Sequence, residues 1–87
     1  MMSIKVFDTH VRTKDGRYLH FDVLIENNDP VLAKSYARRF LDEQGIQDEN
    51  IAQDRCQFCH VEPGNPQVAA AISQQGYFIL KLQGCQE

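Results

Sequence analysis

Between Ser3 and Glu26 the chain alternates apolar and polar residues in two segments separated by Lys14-Asp15-Gly16. Alternation at period two predicts a β-hairpin, and a three-residue loop ending in glycine suits the left-handed backbone such a loop needs. If Thr13 pairs with Arg17, then Val11 faces Leu19, Thr9 faces Phe21 and Phe7 faces Val23, giving one apolar face. A two-residue Asp-Gly loop would instead mix Asp8 and His10 with Phe21 and Val23, so the longer loop is preferred. The same register sends His10 opposite His20 and Asp8 opposite Asp22 on the other face. Four metal ligands or acid/base groups then share one surface.

The period changes after Asn27-Asn28-Asp29-Pro30, a helix cap followed by proline at the first helical position. Leu32, Ala33, Tyr36, Ala37, Phe40 and Leu41 recur at three- and four-residue spacing up to a stop at Gly45, predicting an amphipathic helix. The polar stretch from Gln47 to Asp54 reads as a loop, followed by a strand near Arg55 to Val61 with Phe58 as its core anchor. Asn65-Pro66 repeats the cap signal for a short helix over Val68 to Gln75, ended by Gly76, and Tyr77 to Leu82 is the last strand. The fold class is α+β, in the order ββαβαβ, with a four-stranded mixed sheet and two helices packed mainly on one face. The mixed sheet follows from reading the last strand, helix and strand as a right-handed parallel crossover, which would bring Cys85 toward Cys59 and His60. Ligand sites in such sheets favour the carboxyl ends of strands.

With 87 residues the chain is one domain, residues 1–87, near the lower size limit for a single hydrophobic core. Its 43% hydrophobic and 24% charged residues are those of a folding chain rather than a disordered one. A net charge of -3 argues against duplex nucleic acid, which rewards clustered Lys and Arg. The nearest basic cluster, Lys34, Arg38 and Arg39, falls on the solvated side of the first helix. No basic segment leads into an apolar run at the amino terminus and no run approaches a membrane span, so a cytoplasmic location off the membrane is expected. Three cysteines in a reducing compartment favour free thiols or metal ligands over a structural disulfide.

The chemistry concentrates at Cys56-Gln57-Phe58-Cys59-His60. Buried cysteine behaves as a small hydrophobe, and the simplest reading makes these thiols part of the core. A zinc or iron site would use Cys56, Cys59 and His60 with Cys85 or a hairpin residue, but an unbroken strand turns Cys56 and Cys59 to opposite faces and a second C-x-x-C pair is missing. Thiol redox chemistry would want Cys56 at a helix amino terminus, which the predicted elements do not supply. Covalent haem, which the C-x-x-C-H spacing also suits, would need a helical turn and an export signal. The surface of Asp8, His10, His20 and Asp22 reads first as the wet face of a hairpin, and also as a divalent-metal or acid/base site, because Asp8 opposite Asp22 places like charges across the ladder. There is no Gly-rich phosphate loop, no G-x-S-x-G elbow and no H-E-x-x-H pair.

Val6-Phe7-Asp8-Thr9, Asp15-Gly16, His20-Phe21-Asp22-Val23, Cys56-Gln57-Phe58-Cys59-His60 and Gly76-Tyr77-Phe78 together resemble a short bacterial family known as a domain of unknown function. The resemblance spans nearly the whole chain and implies a shared fold, with no activity attached to it. Asp8, His20, Asp22, Cys56, Cys59 and His60 are the polar residues that match its pattern. The expected function is a small soluble, non-catalytic binding or accessory domain, monomeric or a weak homodimer. The alternative is a zinc- or iron-binding protein built on the C-x-x-C-H stretch.

Overall fold

The computed structural model describes residues 3–85. Its elements run β1 (Ser3–Thr13), β2 (Tyr18–Ile25), α1 (Pro30–Glu43), a 3-10 turn (Asp48–Asn50), β3 (Ile51–Pro63), α2 (Pro66–Gln75) and β4 (Phe78–Gln83), an α+β fold in the order ββαβαβ. The hairpin register is the predicted one. The Thr13 amide donates to the Arg17 carbonyl at 2.9 Å, Gly16 takes φ +93°, and Phe7, Thr9 and Val11 pair with Val23, Phe21 and Leu19. Asp29 caps α1 by accepting from the amides of Val31 and Leu32 at 3.1 Å, and Asn65 caps α2 by accepting from Val68 at 2.9 Å.

The sheet order is β3-β1-β2-β4 with every neighbouring pair antiparallel, so the sheet is antiparallel rather than mixed. No parallel crossover forms: β3 joins the outer edge of β1, and α2 carries the chain over to the free edge of β2. β3 also starts at Ile51, earlier than expected, because Gln53 and Asp54 extend the ladder opposite Arg12 and Val11. Polar residues suit an edge strand that is exposed along most of its length. At about 3.3 Å per residue β3 spans roughly 40 Å, which accounts for the 42 Å long axis of a molecule only 22 and 18 Å across.

The two helices lie on opposite faces, not on one. α1 buries Ala33, Ala37, Phe40 and Leu41 against Phe7, Val11, Leu19, Phe21 and Val23, with Phe21 and Phe40 ring centroids 4.7 Å apart. α2 packs Val68 and Ile72 against Ile4, Val6 and Leu24, whose side chains alternate to the other face. Val6 and Phe7 are adjacent in sequence and both buried, which requires cover on each side of the sheet. Phe58 meets Phe7 edge-on at 5.6 Å yet stays 45% exposed, so it flanks the core rather than anchoring it. Among the described residues no helix is long and apolar enough to cross a membrane.

Candidate functional site

On the face that α2 covers at one end, the even positions of the hairpin continue past Val6 and Leu24 as Asp8, His10, Tyr18, His20 and Asp22. The predicted pairing holds, with His10 opposite His20 and Asp8 opposite Asp22. These groups are half-buried rather than fully wet, with side-chain exposures of 24% for His10, 26% for His20 and 33% for Asp8. The imidazole rings stack with centroids 4.1 Å apart and planes 12° from parallel. His10 donates its Nε2 proton to Asp8 Oδ2 at 2.8 Å, and His20 donates its Nε2 proton to Asp8 Oδ1 at 2.5 Å. His10 Nδ1 is then the acceptor for the Tyr18 hydroxyl.

Two carboxylates facing each other titrate apart. Burial acts to raise the Asp8 carboxyl, but the hydrogen bonds from His20 and His10 outweigh it and hold Asp8 below its ordinary value. Burial and then the charge of Asp8 push Asp22 upward, only partly offset by His20 and His60. Both imidazoles hydrogen-bond to Asp8, so the two carboxylates facing each other across the ladder stand in unlike environments.

Next to this group, His10, Arg12, Tyr18, Gln53, Asp54 and Arg55 line an open cleft of about 300 Å³. Arg12 lies over the Tyr18 ring, 5.3 Å from its centroid, and Arg55 pairs with His10 across the β1–β3 ladder. Tyr18, Arg12 and Arg55 belong to the surface, although sequence reasoning did not include them. The parity of Tyr18 with His20, and of Arg12 with His10, is a signal that could have found the first two. Arg55 depends on a β3 register that contains two irregularities.

The cysteine stretch does not gather. His60 pairs with Val6 and Phe58 with Phe7, so Cys59 is the extra residue of a β-bulge. Cys59 is exposed with its sulfur 3.1 Å from His60 Nδ1, and the other nitrogen of His60 lies 2.9 Å from Glu62. Cys56 sits on the α1 side, where Thr9 Oγ1 donates to its sulfur at 3.3 Å. Burial raises the Cys56 thiol, with the Thr9 hydrogen bond opposing it. Cys85 lies beyond the opposite edge of the sheet, its thiol 3.8 Å from the His20 carbonyl, and burial raises it too. The expected approach of Cys85 to Cys59 and His60 fails because β3 and β4 occupy opposite edges. Among the described residues, the group of His, Cys, Asp and Glu donors close enough to share one metal ion is Asp8, His10 and His20.

The NMR structure of protein NE1680 from Nitrosomonas europaea, a structural genomics target, is similar to this chain with a TM-score of 0.78 and 39% sequence identity, over 98% of this chain and 100% of that one. None of the curated proteins is significantly similar. The family model for the domain of unknown function DUF2024 matches residues 2–82, and the chain belongs to that family.

Proposed function

We propose that this protein is a small, non-catalytic binding or accessory domain whose working surface is the sheet face of Asp8, His10, Tyr18 and His20, and that its ligand is a small anion. The carrying observation is the convergence of both imidazoles on one carboxylate beside a cleft that also holds two guanidinium groups. Arg12 and Arg55 make no ion pair among the described residues, whereas Arg38 on the opposite face is held by Asp48 and Asp54. Guanidinium groups without a carboxylate partner, next to a tyrosine hydroxyl, suit a carboxylate or phosphate ligand. The reading includes one folding unit over residues 1–87, a cytoplasmic location, to which three free thiols are suited, and a monomer or weak homodimer without duplex nucleic acid.

Citrate and inorganic phosphate titrated into the ¹⁵N-labelled full chain test the reading. Amide shifts confined to residues around His10, Arg12, Tyr18 and Arg55, and lost in Arg12→Ala, are expected. No shift with either anion, or shifts centred on α1, would overturn it.

A further inference from the structure

We infer that Asp8, His10 and His20 form a binding site for a divalent transition-metal ion of zinc's class. The inference rests on reading this face as the working surface, and it names a second occupant there.

The first argument is the donor set. Two imidazole nitrogens and one carboxylate oxygen suit borderline divalent ions such as zinc or ferrous iron, whereas calcium and magnesium prefer oxygen alone. The three donor atoms lie within 4.8 Å of one another. A tetrahedral ion bonded at 2.0–2.2 Å would hold its donors about 3.4 Å apart. The imidazoles now contact different oxygens of Asp8, His10 at Oδ2 and His20 at Oδ1, and because the three donors already lie within 4.8 Å of one another, side-chain rotation on a fixed backbone suffices to bring one oxygen and both nitrogens around an ion. All three residues stand on adjacent paired strands, which fixes their Cα positions.

The second argument is charge. Asp8 and Asp22 are direct cross-strand partners, and no Lys or Arg among the described residues forms an ion pair with either. Among the described residues, the ion-pair partners of Asp8 are the histidines His10 and His20. A divalent cation on Asp8 would offset the paired negative charge directly.

The third argument lies behind the donors. Histidines that bind metal usually anchor their second ring nitrogen to a protein group, which fixes the tautomer and the ring. Tyr18 stands at that position for His10. When His10 Nε2 turns to the ion, its proton is carried on Nδ1 instead, and the Tyr18 oxygen changes from donor to acceptor without moving. Three protein donors leave at least one coordination position open. Because His10 also lines the arginine cleft, an anion held by Arg12 and Arg55 is placed to take that position.

Calorimetric titration of zinc chloride into chelator-treated full chain at pH 7.5, with cobalt(II) absorption as a second readout, tests the site. One equivalent per chain is expected, with affinity at least about tenfold weaker in Asp8→Asn and in His20→Gln, several-fold weaker in Tyr18→Phe, and unchanged in Cys59→Ser. Urea unfolding of each variant separates lost donors from lost fold, and Tyr18→Phe keeps the test open if a ligand variant does not fold. No zinc heat, binding that persists in folded Asp8→Asn and His20→Gln, or binding lost in Cys59→Ser would overturn the inference. Citrate titrated into the same samples distinguishes the two readings: citrate binding without zinc binding removes the metal and leaves the surface, whereas absence of both removes both.

Discussion

The Tyr18 hydroxyl and His10 Nδ1 form a hydrogen bond between diagonal neighbours two rungs apart on one face of the hairpin ladder, and their rings stack with centroids 5.8 Å apart. Through that bond Tyr18 fixes which nitrogen of His10 carries the proton toward Asp8. In Tyr18→Phe the constraint disappears. The ¹⁵N shifts of the His10 ring should move from a single tautomer toward a mixture, while the urea midpoint changes by no more than about 1 kcal/mol of stability. Unchanged ring shifts would mean that Tyr18 does not set the tautomer.

Asp22 should make the protein less stable at neutral pH than it is in acid. Its carboxyl protonates more readily in the folded chain than its ordinary 3.8, so its contribution is present below that value and is lost as pH rises through the raised folded value. Asp8 behaves in the opposite sense: its folded value is lowered, so its contribution is present above 3.8 and is lost as pH falls through that lowered value. Urea unfolding at pH 7 should therefore find Asp22→Asn more stable than wild type and Asp8→Asn less stable, with both differences shrinking at pH 3.

The three thiols should differ in reactivity. Cys59 is exposed on its bulge, whereas Cys56 is half-buried beneath α1 with its thiol raised by burial. A chromogenic disulfide reagent added to native protein at pH 7.5 should modify Cys59 first and Cys56 at least about tenfold more slowly, with the order collapsing in urea. Equal native rates would mean that β3 does not dock on α1 as described.

Gly84 follows β4 with φ +73°, and a Cβ there would stand 2.1 Å from the Tyr18 carbonyl oxygen. Gly16 has φ +93° but open space around the added atom. Gly84→Ala should cost about 2 kcal/mol or more and Gly16→Ala about 1 kcal/mol, measured by urea unfolding. Because the clash falls on the backbone of Tyr18, Gly84→Ala should also disturb the His10 ring shifts, and Gly16→Ala should not.

The hairpin was legible because period-two alternation and the loop glycine constrain one another: shifting Thr13 off Arg17 would turn Phe21 and Val23 to the wrong face. α1 was legible from Asp29-Pro30, its spacing and Gly45. The location of β4 was not. Phe78 to Gln83 carries no mark of which edge it joins, and the choice depends on α2 finding Ile4, Val6 and Leu24 on the face opposite α1. That face held both an apolar end and a polar end, and only the polar end was recognised from alternation. The Cys59 bulge was equally invisible, since it is a difference in residue count between partners rather than a property of either strand. The candidate site was therefore legible where it lies on the hairpin and illegible where β3 contributes to it.

Asp8, His10, Tyr18, His20 and Asp22 all lie on one hairpin, and the strand residues Thr9, Val11, Leu19 and Phe21 that alternate with them point to the other side of the sheet and are buried. Odd positions are answerable to folding and even positions to chemistry, within the same short stretch of chain. A family built this way can exchange its ligand by changing alternate residues while each intervening one stays as it is, so relatives that differ in what they hold can remain alike in shape.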